Sequence, residues 1–341
     1  MIYSFIDIQI NRTLYLLRKS RNIVLIGHRK PDSDTIGSML ALNLALKKQA
    51  KKNILCACVD PIPKRFRFLP GATDIFQLEN VLDKIKEADL IVTLDCGSYE
   101  LTGLSLFSQI RTFLINIDHH QDSSFFGNIN IVKGNTSSTS EIIYEILNKA
   151  KISIDKDMAT CLLAGIFGDT DSFKNVNTTN RTLTITSHLL AVGANLKQIT
   201  RHTLQDKSLS TLRLWGRILS RIKKHEDFNI ISAVITQEDL AKTHALEEDL
   251  EGIANFLNSI PDVRASIILT ERRNGEIKGS LRTLNDKVDV SKLARLLGGG
   301  GHKKAAGFTL LGKLKKEKSG WKILIQTDQQ KRMANESQLN M

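Results

Sequence analysis

In the first half of the chain, short continuous apolar runs alternate with stretches of helical spacing. Residues 22–28 (NIVLIGH), 53–59 (NILCACV), 90–95 (LIVTLD) and 112–118 (TFLINID) read as strands buried on both faces. Residues 35–49 read as a helix, with Ile36, Met39, Leu40, Leu42, Leu44 and Leu46 apolar. A short stretch near 80–88 reads the same way, as do residues 138–149, which open on Ser and Thr as a cap. Apolar strands alternating with helices predict a parallel sheet covered on both sides. Further helical stretches run from about 157 to 224.

The pattern changes near residue 226. Strand-like 229–235, helical 238–258, and strand-like 263–270 and 276–282 follow, the last two joined by a turn at Asn274–Gly275. A helix near 290–297, a glycine run and strands near 306–311 and 321–327 complete the pattern. The expected organisation is a parallel-sheet α/β domain over 1–195, a helical linker over 196–225, a smaller α/β domain over 226–328 and an unstructured polar tail over 329–341.

Composition narrows the class. A chain of 341 residues, 41% hydrophobic and 25% charged, can bury two cores without disulfides. Lys and Arg number 48 against 36 Asp and Glu, a net charge of +12 that attracts polyanions and gives a direction for substrate class. Cys56, Cys58, Cys96 and Cys161 form no CxxC pair, so a zinc ribbon is excluded and reduced thiols in a core are expected. The first 19 residues lack the continuous apolar region of a secretory signal, and no run of about 18 apolar residues follows anywhere. A cytoplasmic protein that neither spans nor binds a membrane is the expectation.

Candidate chemistry lies at the ends of the apolar strands. The first strand ends in His28-Arg29-Lys30-Pro31-Asp32-Ser33-Asp34, the third at Asp95, and the fourth in Asp118-His119-His120. A fourth cluster, Asp169-Thr170-Asp171, follows an apolar helical stretch. Ligands of open parallel sheets collect at the carboxyl ends of the strands. One such Asp is ordinarily a turn or cap residue. Four clusters of Asp and His need another reason, because carboxylates that close repel unless a cation compensates. Imidazole mixed with carboxylate, without thiolate, suits manganese first, then magnesium, iron or zinc.

These motifs, in this order and spacing, resemble the four motifs of the DHH phosphoesterase superfamily, which includes RecJ-like exonucleases, nanoRNases and cyclic dinucleotide phosphodiesterases. Gly298-Gly299-Gly300-Gly301-His302-Lys303-Lys304-Ala305-Ala306-Gly307 likewise resembles the glycine-histidine signature of the DHH-associated C-terminal domain. The resemblance spans residues 28 to 307. It implies two divalent ions, one held by His28, Asp32 and Asp95 and the other by Asp34, Asp95, His119 and Asp169, with Asp95 bridging. Ions roughly 3.5–4 Å apart would activate water for in-line attack on phosphorus. His120 would contact the phosphoryl group or protonate the leaving oxygen, Asp118 would orient the histidines, and Asp171 would tune the ion beside Asp169 or replace Asp169 as its ligand. Arg282 with Gly299, Gly300, Gly301 and His302 would bind the substrate phosphate.

The implied function is hydrolysis of short RNA or DNA oligonucleotides to mononucleotides, together with phosphatase action on 3′-phosphoadenosine 5′-phosphate. A linear or cyclic dinucleotide phosphodiesterase is the nearest alternative. A non-catalytic RNA- or nucleotide-binding module is the alternative of another class; such a module would be free to lose metal ligands, and none is lost. A homodimer is compatible with the sequence.

Overall fold

The computed structural model describes residues 5–49, 52–106, 112–205, 207–250, 252–317 and 320–325; the tail expected over 329–341 lies outside them. The chain divides into two units, residues 1–206 and 207–341.

The first unit carries α1 (Phe5–Lys19), β1 (Asn22–Gly27), α2 (Ser33–Lys47), β2 (Asn53–Cys58), β3 (Ile75–Gln77), α3 (Leu82–Lys86), β4 (Leu90–Leu94), β5 (Leu114–Asp118) and β6 (Ile129–Val132), then α4 (Thr139–Lys149), α5 (Lys156–Asp169), α6 (Asn180–Val192) and α7 (Leu196–Thr200). The six strands are parallel in the order β3-β2-β1-β4-β5-β6. The chain moves outward from β1 to β3 and then returns to place β4 on the other side of β1. Connections leave the carboxyl ends of β1 and β4 in opposite directions, which opens a crevice there.

The larger core lies between the sheet and α2, α4 and α5, and a smaller one lies on the other face with α3. Helix α2 is buried almost all round, which explains why its apolar residues keep to no single stripe. Its approach to α5 is backbone to backbone: a Cβ on Gly37 would sit 2.4 Å from the Cys161 carbonyl oxygen.

The second unit carries α8 (Leu209–Leu219), β7 (Lys223–His225), β8 (Ile230–Ile235), α9 (Gln237–Thr243), α10 (Ile253–Asn258), β9 (Ala265–Glu271), β10 (Glu276–Arg282), α11 (Val290–Leu296), β11 (Gly300–His302), β12 (Ala305–Glu317) and β13 (Gly320–Ile325). Its sheet runs β11-β12-β10-β9-β8-β7, with β13 pairing the far half of β12. Only β8 and β9 pair in parallel; the other pairings are antiparallel. Cores lie on both faces.

Three expectations change. The helical linker expected over 196–225 is divided between the units: Ile199 of α7 packs in the first core, while Leu214 and Ile218 of α8 pack in the second and β7 joins its sheet. The long helix over 238–258 is broken, because His244 (φ 53°) and Gly252 (φ 88°) adopt left-handed conformations that end α9 and begin α10. The strands β3 and β6 escape the sequence pattern because three and four residues are too few to show a period.

Candidate metal centre

At the end of β1, Asp32 caps α2. Its Oδ1 accepts the N–H groups of Asp34 (2.9 Å) and Thr35 (3.0 Å), which leaves Oδ2 on the side of His28 Nε2 at 3.8 Å. His28 Nδ1 donates to the Arg29 carbonyl (2.5 Å), so Nε2 turns inward, 3.4 Å from Asp95 Oδ2. One residue thus starts a helix and faces the site with its spare oxygen.

Asp95 follows β4 in a left-handed conformation (φ 61°), with its N–H on the Ile117 carbonyl (2.9 Å). That conformation costs a non-glycine residue about 1–2 kcal/mol and turns the carboxylate into the crevice. Asp95 is 2% exposed. Thr35 Oγ1 donates to its Oδ2 (2.8 Å) and Thr139 Oγ1 to its Oδ1 (3.0 Å). His119 Nε2 stands 3.6 Å from Oδ1. The two hydroxyls were not foreseen from sequence; their signal is only that both follow a helix cap.

At the end of β5, Asp118 orders the loop that follows. Its Oδ1 accepts the N–H groups of His119 (2.9 Å) and His120 (3.3 Å) and the Nδ1–H of His120 (2.7 Å). This leaves Nε2 as the uncommitted nitrogen of the part-exposed His120. His120 Nδ1 is also 3.8 Å from Asp95 Oδ1.

The last two acids come from helices. Asp34 is wholly buried and accepts the N–H groups of Thr139 (2.6 Å) and Ser140 (2.9 Å), so it docks the first turn of α4 onto α2. Ser138 completes that end by capping α4. Asp169 ends α5 and lies 2.9 Å from His119 Nε2. Asn175 and Asn177 hold its carbonyl (3.0 and 3.2 Å). Asp171 does not join them. Asp171, Ser172 and Phe173 are all left-handed (φ 45°, 62° and 65°), and the turn carries the Asp171 carboxylate to Lys174 (3.1 Å). Asp169, and not Asp171, is therefore the acid of this turn that joins the donor sets.

Three sets have donor atoms within 4.8 Å of one another: His28, Asp32 and Asp95; Asp34, His119 and Asp169; and Asp95, His119 and His120. Their electrostatics are those of a site short of positive charge. Burial, reinforced by the charges of Asp95 and Asp169, pushes Asp34 well above the usual carboxylate range. Burial raises Asp169 to about 6 even against the help of His119. Burial would lower the histidines, but Asp32 and Asp95 raise His28 to about 11, and Asp169, Asp95 and Asp34 raise His119 to about 10. The hydrogen bond that His120 donates to Asp118 raises His120. For Asp95, burial is outweighed by His28 and His119, which hold it low. Protons on the imidazoles thus stand in for the missing charge. Buried carboxylates with unshared lone pairs, interleaved with imidazole nitrogens, are a donor set that fits divalent cations.

In the second unit, Arg282 ends β10 opposite Ala305 of β12. Burial lowers its pKa, its Nη1 donates only to the Leu281 carbonyl (3.1 Å), and it has no acidic partner among the described residues. The glycine run is less free than expected. Gly300–His302 forms β11 against β12, with Gly300 opposite Gly307 and His302 opposite Ala305. A Cβ on Gly299 would lie 2.1 Å from the Gly307 carbonyl oxygen, and one on Gly301 would lie 2.6 Å from that of Ala305. Close strand packing therefore accounts for Gly299 and Gly301. Gly298 and Gly300 have nothing within 4 Å of an added Cβ.

Comparison with known proteins agrees with this geometry. Residues 22–166 match the DHH family, N-terminal domain, and residues 227–319 match the DHHA1 domain. The bifunctional oligoribonuclease and PAP phosphatase NrnA of Thermus thermophilus is 31% identical over 291 residues, covering 85% of this chain and 84% of that protein. The cyclic-di-AMP phosphodiesterase PdeA of Listeria monocytogenes is 26% identical over 84% of this chain but 44% of its own length. The crystal structure of an exopolyphosphatase-related protein from Bacteroides fragilis superposes with a TM-score of 0.84 at 31% identity, covering 90% of this chain and 92% of that one.

Proposed function

The chain belongs to the DHH family, its catalytic-type domain followed by a DHHA1 domain, and on that premise we propose a metal-dependent phosphoesterase that hydrolyses short oligonucleotides to mononucleotides and dephosphorylates 3′-phosphoadenosine 5′-phosphate. His28, Asp32 and Asp95 would hold one divalent ion, and Asp34, His119 and Asp169 the other, with Asp95 between them. Manganese suits the donors best and magnesium next. Ions bound there neutralise phosphoryl oxygens and make water nucleophilic at neutral pH.

The chain's own groups do the rest. Thr35 and Thr139 donate to opposite oxygens of Asp95 and fix its carboxylate plane. Asp118 accepts the Nδ1–H of His120 and raises its pKa, which leaves Nε2 to serve the leaving oxygen as general acid. Arg282, Gly300 and His302, with Gly299 and Gly301 closing the strand pair beneath them, take the substrate phosphate. The observation that carries the reading is the place of Asp95, 3.4 Å from His28 and 3.6 Å from His119 in a strained turn.

The test is incubation with manganese and labelled dinucleotide, 3′-phosphoadenosine 5′-phosphate or cyclic di-AMP. Asp95→Asn should abolish turnover while circular dichroism stays unchanged; retained turnover overturns the metal assignment. The match to PdeA supports a second reading, a cyclic-dinucleotide phosphodiesterase, and cleavage of the cyclic compound alone would select it.

A further inference from the structure

The turn that leads into α4 supports the metal centre from behind. Ser137, Ser138, Thr139 and Ser140 are all buried. The Thr139 hydroxyl reaches Asp95, and its N–H reaches Asp34 Oδ2; the N–H of Ser140 takes Asp34 Oδ1. One short stretch of chain thus sets both oxygens of one donor and one oxygen of another.

Glu141, 1% exposed, grips this stretch. Its Oε2 accepts the hydroxyl (2.6 Å) and the N–H (3.2 Å) of Ser137 and the hydroxyl of Thr182 (3.2 Å). In the usual capping box, the acid three residues into a helix returns to the N–H of the cap residue. The cap here is Ser138, whose Oγ already accepts the Glu141 N–H (3.2 Å). The Glu141 carboxylate reaches past it to Ser137, one residue outside the helix. It therefore holds the approach to α4 as well as its first turn. Asn177 grips the same residue from the other side: its Nδ2 donates to the carbonyls of Ser137 (3.0 Å) and Asp169 (3.2 Å).

A carboxylate buried this deeply needs its charge balanced. Arg181 of α6 supplies the balance, with Nε 3.3 Å from Glu141 Oε1 and a side chain 56% exposed. The same guanidinium pairs with Glu145, one turn further along α4, whose other oxygen meets Lys133.

We propose that Glu141, paired with Arg181, is a positioning residue for the metal centre: by gripping Ser137 it fixes the turn that aims Asp34 and Asp95. The inference rests on the metal-dependent reading above and deepens it by extending control of the ion site to an arginine at the surface. Glu141 and Glu145 share that arginine, but only Glu141 holds the turn, so the two acids separate positioning from simple bracing of α4 against α6.

The test is calorimetric titration of the full chain with manganese, with urea denaturation of the metal-free protein alongside. Glu141→Gln should weaken manganese binding about 10- to 100-fold, the range for groups that orient metal donors. Arg181→Ala should weaken it about 10-fold, and Arg181→Lys, which keeps a cation beside Oε1, should recover most of that loss. Glu145→Gln should stay within about two-fold of wild type, even where urea shows it to be as destabilised as Glu141→Gln. At saturating manganese the dinucleotide KM of Glu141→Gln should match wild type within about two-fold, while the manganese needed for half-maximal turnover rises by the factor found in the titration. Unchanged manganese affinity in Glu141→Gln would overturn the proposal. An equal fall in Glu145→Gln would also overturn it, in favour of general loosening of α4. Should Glu141→Gln fail to fold, Arg181→Ala decides at an exposed position, and wild-type affinity there counts against the proposal in the same way. A wild-type chain that binds manganese yet hydrolyses neither dinucleotide, 3′-phosphoadenosine 5′-phosphate nor cyclic di-AMP would instead remove the phosphoesterase reading.

Discussion

Gly165→Ala probes how tightly the helices close beneath the metal centre. An alanine Cβ there would stand 2.0 Å from Ser140 Oγ and 2.6 Å from Asp34 Oδ1. Ser140 Oγ has no hydrogen-bond partner among the described residues and can rotate away, but Asp34 is held by the N–H groups of Thr139 and Ser140. Overpacking of this kind costs about 1–3 kcal/mol, and a helical alanine returns about 0.5–1 kcal/mol through the unfolded chain. The net expectation is a loss of about 0.5–2 kcal/mol, with a roughly 10-fold or greater fall in manganese affinity as Asp34 is displaced. Gly216→Ala in α8 meets nothing within 4 Å, so it should stabilise by about 0.5–1 kcal/mol. One chemical change therefore has opposite signs in two helices. Urea denaturation without metal and calorimetric titration with manganese measure both. A Gly165→Ala protein as stable as its parent, with unchanged manganese affinity, would refute the close approach of α5 to Asp34.

Asp169 and Asp171 should separate cleanly. Asp169→Asn lowers manganese affinity by at least about 100-fold, whereas Asp171→Asn stays within about two-fold in the same titration; equal losses would return Asp171 to the site. The second domain should carry its own acid sensitivity. Burial works against the Asp239 carboxylate, but Arg221, Arg217 and the Thr236 N–H hold it at about 2, below its unfolded value near 4. Its stabilisation, about 1–2 kcal/mol after screening through the part-exposed arginines, is complete above about pH 4 and lost as pH falls toward 2. Asp239→Asn should lower stability at neutral pH and flatten that decline; parallel curves for variant and parent would count against the pair.

Much of the centre was legible because it is built from strand ends. His28, Asp95 and His119 each follow a continuous apolar run, and parallel packing brings those ends together whatever the details. What stayed hidden is the work done at long separation. Nothing local to Asp34 shows that it caps a helix beginning more than a hundred residues later, and nothing local to Thr139 shows that its hydroxyl reaches Asp95. Asp171 shows the opposite: neighbours in sequence part when three successive residues turn left-handed. In the second domain the strands were legible from alternation, but the glycine run was not. Its composition suits a loop, and only the register with β12 shows that two of its glycines serve close strand packing.

Asp34 gives the site an uneven tolerance to decay. Losing His28 or Asp169 removes a donor, and the helices around it keep their caps. Losing Asp34 also strips two N–H groups at the start of α4 of their acceptor in a fully buried place, a folding defect of about 1–3 kcal/mol for each orphaned group. A descendant drifting from hydrolysis toward mere binding would therefore shed His28 and Asp169 early and retain Asp34 as a fossil of the lost chemistry. The persistence of that one acid is poor evidence of activity in such a lineage, whereas the pair His28 and Asp169 is the part of the centre that only metal chemistry would preserve.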